Sequence, residues 1–173
     1  MSERRQIPDP GFAGDTGAAD PALGAALAGF AADPGRQLDV FAALQGARVL
    51  VPVLAVLGEA EADASGLVHD KTSDMATALL TGQDGRRALL AFTSLDALAA
   101  WRPDARPVPV TASLAARSAA AEGAAALVID VAGPTTYVVE GELLDGLARG
   151  WTLARTGSGL AWVEPAPPGS SRG

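Results

Sequence analysis

The chain contains no cysteine. That excludes a disulfide framework, a thiolate nucleophile and any cysteine-held zinc or iron–sulfur centre. Lysine and histidine occur once each, as Lys71 and His69, so a Ser-His-Asp triad would have a single imidazole to draw on. No G-x-S-x-G elbow, H-E-x-x-H pair or G-x-x-x-x-G-K-[ST] loop is present. The glycines at 11, 14 and 17 follow no strand and do not match a dinucleotide fingerprint. No catalytic residue, metal or cofactor is therefore expected. No run approaches the roughly 18 apolar residues of a membrane helix. The opening MSERRQIPDPGFAGDTG has two arginines but no apolar stretch behind them, unlike a secretory signal. A cytoplasmic protein that does not engage a membrane is the expectation. Basic side chains are also in deficit: the net charge is −7. Nucleic-acid affinity comes from cations neutralising phosphates, so a nucleic-acid partner is not expected.

What is there suits a core. The length of 173 residues is a prior for one domain, and 49 % of residues are apolar, many of them alanine. Residues 1–20 mix Pro, Gly, Asp and Arg without period and read as a disordered arm, and 164–173, EPAPPGSSRG, as a disordered tail. The domain is expected over 21–163. PALGAALAGFAA (21–32) begins with proline and stops before Asp33-Pro34-Gly35, which fits a short helix. Residues 36–46 continue as a second helix, with Leu38, Phe41 and Leu44 on one side. ARVLVPVLAV (47–56) is strand-like. Pro52 lacks an N–H, which predicts an edge position or a bulge.

The stretch DGRRALLAFTSLDALAAW (84–101) carries the most information. DMATALLT and RRALLAF flank a short Asp-Gly loop, a hairpin signal. Residues 88–92 are apolar on both faces, as in a strand covered on both sides. Thr93 can cap the following helix, with Asp96 three residues on. Leu95, Leu98 and Ala99 are expected to face the core, and Arg102-Pro103 stops the helix. ARPVPV leads through Thr111, another cap, into an alanine-rich helix over 112–122. Residues 125–131 form a buried strand, Gly133-Pro134 a turn, and TTYVVEG another strand. ELLDGLAR is a short helix whose charges suit its dipole, and WTLARTGSGLAWV a closing hairpin.

In that order, DMATALLTGQDGRRALLAFTSLDALAAW, RPVPV and ALVIDVAGPTTYVVEGELLDGLARG make a chain that resembles the SseB-like family, in its actinobacterial form, over roughly 38–150. Phe92-Thr93-Ser94 with Leu98 and Trp101, then a strand, a Gly-Pro turn and a short helix, carry the resemblance. One departure is Asp130-Val131, where many relatives have Asn-Pro. The resemblance implies no reaction. It implies an α+β fold, here a single domain with a mixed, largely antiparallel sheet packed with helices between disordered termini.

Two constellations are candidate contact sites. Arg86, Arg87, Arg102 and Arg106 lean toward one edge of the sheet and could dock an acidic partner; the plainer alternative is solvated element ends. The loop before Asp74 is expected near Phe92, which would bring His69, Lys71 and Asp74 beside Thr93 and Ser94. Such a corner could hold a small anion, an amino-acid-like metabolite or a partner's acidic side chain; the alternative is a capped helix under a polar loop. A metal on His69, Asp70 and Asp74 is the weaker reading, since second-shell partners are not evident. The expected function is a non-enzymatic module that binds another protein, with a metabolite-binding regulatory domain as the alternative. An exposed Trp151 or Trp162 would favour the former, since tryptophan is enriched at binding hot spots.

Overall fold

The computed structural model describes residues 12–56 and 74–166. Asp20 caps helix α1 (Pro21–Ala32): its carboxylate accepts from the N–H of Leu23 at 3.0 Å. Asp33 ends that helix and opens a single 3-10 turn (Pro34–Arg36). Helix α2 (Gln37–Gln45) buries Val40, Phe41 and Leu44. Strands β1 (Arg48–Val56), β2 (Asp74–Thr77), β3 (Leu79–Thr81) and β4 (Arg87–Ala91) precede helix α3 (Leu95–Trp101). Strand β5 (Arg106–Thr111) leads into helix α4 (Ala112–Ala121), followed by β6 (Ala126–Ile129), β7 (Tyr137–Glu140) and helix α5 (Gly141–Ala148). The hairpin β8 (Thr152–Thr156) and β9 (Gly159–Val163) closes the described chain. Part of the stretch expected as an arm, residues 12–20, lies against the domain: Gly17 accepts from the N–H of Leu95, and Asp15 pairs with Arg48.

The strands form an α+β arrangement in three pieces, ordered β2-β1-β5, β3-β4-β6-β7 and β8-β9. Only β4 and β6 run parallel; every other pair is antiparallel. A bridge between Leu50 and Phe92 joins the first two sheets, with N–H to O=C bonds of 2.7 and 2.8 Å.

Pro52 sits just past this bridge, in the middle strand of its sheet rather than at an edge. The missing N–H is absorbed by a change of partner. The Pro52 carbonyl accepts from Ala78 N–H, while the Ala78 carbonyl, which Pro52 cannot serve, accepts from Leu90 N–H. Ala78 is the point where one extended segment passes from β1 to β4. On the other side of β1, Pro52 faces Pro107, so neither residue needs to donate.

The same register decides the fate of β5. Leu50 spends both backbone groups on Phe92, so its opposite number on β5, Pro109, lies in a non-hydrogen-bonded pair. The backbones of Pro109 and Pro107 therefore turn to the open edge. Two outward donors are missing there, which keeps another strand from pairing.

The sheet of β4 separates two cores. Leu89, Ala91, Leu127, Ile129 and Val139 point to one side, under α1, α2, α4 and α5. Leu90, Phe92 and Val128 point to the other, under α3, where Trp101 stacks on Phe92 at 5.5 Å. Helix α4 comes close because Ala112, Ala115, Ala116 and Ala119, all fully buried, are small. Helix α3 differs from expectation in its facing: Leu98 is buried, but Leu95 and Ala99 are exposed and Ala97 turns inward.

Replacing both Pro107 and Pro109 with threonine restores two outward donors. The double variant is expected to self-associate in a concentration-dependent way, measured by light scattering, with the parent staying at its own mass.

Candidate functional site

β4 and β6 end side by side, and Thr93 and Asp130, just past their ends, meet. The N–H of Thr93 donates to Asp130 Oδ1 at 2.8 Å, and its hydroxyl donates to Oδ2 at 2.7 Å. Both residues are buried. Asp130 also adopts φ +52°, the left-handed region that Asp and Asn tolerate better than other side chains with a Cβ. Its carbonyl accepts from Gly133 N–H and the Thr136 hydroxyl, which holds the turn after β6. Burial pushes the Asp130 carboxyl above the usual aspartate value, against the pull of the two Thr93 bonds.

Arg48 fastens the neighbouring segments to this point. Its guanidinium donates to the Thr93 carbonyl at 2.9 Å, to Asp15 and to the Ala18 carbonyl. Its Nε lies 2.8 Å from Asp15, and both side chains are mostly shielded, so the fork is a charge-assisted clamp.

Above Asp130 lies a cleft of about 650 Å³. One wall is α1, through Gly24, Leu27, Ala28 and Ala31; the other is the start of α3, through Ser94, Asp96, Ala97 and Ala100. The turn 132–135 closes one end. The volume suits a ligand or a segment of another chain, and the place, beyond the carboxyl ends of parallel strands, is where open sheets receive ligands. Among the described residues the lining holds two carboxyl groups, Asp96 and Asp130, and no cationic side chain.

Of the residues expected to form an anion corner, Thr93 and Ser94 lie at the cleft, and the backbone of Asp74 is placed elsewhere. His69 and Lys71 lie outside the described residues. Asp74 pairs with Val56, about 20 Å further along β1 than the Leu50–Phe92 bridge. The strand that was to carry it past Phe92 leaves β4 at Ala78 instead. Thr93 is not the cap of α3. Ser94 is, with its Oγ accepting from Ala97 N–H at 3.1 Å, and Thr93 is occupied by Asp130.

Three of the four arginines serve separate local partners. Arg86 donates to Glu140 at 2.7 Å, across β6, which raises its already high pKa. Arg87 donates to the carbonyl of Glu122 and closes the C-terminus of α4. Arg102 pairs with Asp104 at 3.3 Å and lies over Trp101. Arg106 is exposed at the start of β5.

Sequence reasoning missed Asp130. Its signal was an acidic residue ending an otherwise apolar strand. It also missed the cleft, although α1 holds no polar side chain over its whole length.

Fold and site together define an α+β domain with a cleft at the paired ends of two parallel strands, floored by a carboxyl already engaged. The chain belongs to the SseB family: the SseB protein N-terminal domain matches residues 23–145, well over half its length. No curated protein and no solved structure matches it.

Thr93→Val leaves a buried carboxylate oxygen without its donor and is expected to cost about 1–3 kcal/mol in urea unfolding. Asp130→Asn should act the other way at neutral pH. The amide oxygen still accepts from Thr93 N–H, its NH₂ can donate to the hydroxyl, and Asn tolerates the left-handed backbone. Because the folded pKa of Asp130 lies above the unfolded one, its contribution to stability is full below the unfolded value. It is lost as pH rises through the folded value. The advantage of Asp130→Asn should therefore grow between pH 4 and pH 7; an equal advantage at both would remove the titration from the account.

Proposed function

We propose that the protein is a non-enzymatic binding module that receives an apolar, positively flanked segment of a partner protein along α1 and α3. The observation that carries this reading is α1 itself. Over Pro21–Ala32 it has no polar or charged side chain, yet Pro21, Ala22, Ala25, Ala28, Ala31 and Ala32 are exposed. A helix apolar on all sides is normally covered on all sides. Here only Leu23 and Leu27 are buried, and Ala28 and Ala31 face the cleft. The occupant's charge follows from complementarity: Asp96 is exposed on the wall of the cleft, and the chain carries −7.

The floor of the cleft favours binding over reaction. Thr93 and Asp130 satisfy each other, and Ser94 Oγ accepts from its own helix. A cytoplasmic setting belongs to the same proposal and rests on the cysteine-free composition.

A photo-reactive residue at Ala28 should cross-link one protein in native extract, and excess unlabelled protein should compete it away. The same residue at Ala120, exposed on α4, should not. Ala31→Trp fills the cleft from an exposed position, so it should reduce the cross-link at least tenfold while changing stability by less than about 0.5 kcal/mol. Equal cross-linking from Ala28 and Ala120, or a product untouched by Ala31→Trp, would sink the proposal.

A further inference from the structure

A second cavity lies across the molecule's closing hairpin and shares no residue with the cleft. It measures about 300 Å³ and is lined by Glu142, Asp145, Gly146, Arg149, Trp151 and Trp162. The first four belong to one face of α5 and its C-cap, at spacings of three and four residues. The two tryptophans come from either end of the hairpin, with ring centres 6.4 Å apart and planes tilted by 56°.

Gly146 makes this arrangement possible. A glycine inside a helix costs about 1 kcal/mol relative to alanine. At Gly146 a Cβ would fall 2.2 Å from the Trp162 ring, so the indole rests directly on the backbone of α5. Phe41 meets the same indole edge-on at 6.0 Å. Trp162 is thereby fixed as one wall, half-buried, with Trp151 beside it.

The chemistry of the walls is that of a cation receptor. Indole faces attract cations, and this notch already holds one: the Arg149 guanidinium lies over Trp151 at 5.0 Å. Glu142 and Asp145 are exposed on the same face, and neither has a cationic partner among the described residues. Two carboxylates against one guanidinium leave the notch with an excess negative charge, on a chain that is itself acidic.

We propose that the notch between α5 and the closing hairpin takes an arginine or lysine side chain presented by a basic polypeptide. The head group lies against the tryptophan faces and pairs with Glu142 and Asp145. A volume at the bottom of the range for ligand sites, open on one side, fits a single side-chain head better than a whole metabolite. Arg149 occupies part of the aromatic surface and competes with the incoming cation.

The probe is a short blocked peptide with two arginines, against its citrulline counterpart, which keeps shape and loses charge. Binding is read from indole fluorescence in a Trp101→Phe background, which leaves Trp151 and Trp162 as the only reporters. The arginine peptide should shift the emission and weaken with added salt, while the citrulline peptide should not bind. Glu142→Gln with Asp145→Asn, both at exposed positions, should weaken binding at least fivefold with the circular dichroism unchanged. Arg149→Ala should tighten it two- to fivefold by uncovering Trp151. Equal binding of the citrulline peptide, no effect of the double variant, or loss of binding on Arg149→Ala would each overturn the proposal. Binding of free arginine methyl ester as tight as the peptide would also overturn it, since the occupant would then be a small cation.

Discussion

Leu89 and Ala91 point into one core while Leu90 and Phe92 point into the other, so β4 is stable only when both of its faces are covered at once. Four helices supply one cover and α3 alone the other. The demand reaches along the chain. A strand buried on both sides must end in a buried place, and the polar backbone that follows it must be satisfied there. Asp130, at the end of the parallel neighbour β6, does this for Thr93 with both carboxyl oxygens. Arg48 does it for the Thr93 carbonyl and brings residues 15–18 against the same spot.

The cleft follows from the same geometry. Two parallel strands end together, α3 departs from one and a turn from the other, and α1 crosses near both. The polar groups at its floor, Thr93 and Asp130, are bonded to each other. The closing hairpin is built on a different logic, in which one glycine lets an indole lie on a helix and leaves aromatic and acidic surface beside it.

Much of the fold was legible because it is local. Pro21, Asp33-Pro34, Arg102-Pro103 and Thr111 mark helix ends by chemistry at single positions. The hairpin at 82–85 and the closing hairpin declare themselves in their turn residues. What was not legible depends on partners distant in sequence. Pro52 is tolerated in a middle strand because Ala78 and Pro107 happen to stand opposite it, and no property of residues 47–56 says so. Thr93 and Ser94 are both competent caps; Asp130, far along the chain, takes the first and leaves the second. The inward face of α3 depends on where Phe92 places it, which moved Leu95 and Ala99 outward. The Asp74 end went astray for the same reason, since a change of partner at one alanine carried it off along β1. The seat of Trp162 on Gly146 joins two elements whose contact has no periodic signature.

The closing hairpin has a further consequence. Its own two strands are sequence neighbours, and it is tied to the rest by Trp162 on Gly146 and Phe41, by Leu153 against the main core, by the Gln45 side-chain amide bonded to Leu153, and by an exposed Arg155–Asp39 pair at 3.4 Å. The family match ends at residue 145, immediately before the glycine on which the hairpin rests. Any opening of the hairpin is governed by these fastenings, because a cooperative piece of structure has the stability of its own fastenings and not that of the whole. The notch would vanish with each opening, so anything seated between Trp151 and Trp162 would also act as the latch that keeps the last two strands in place.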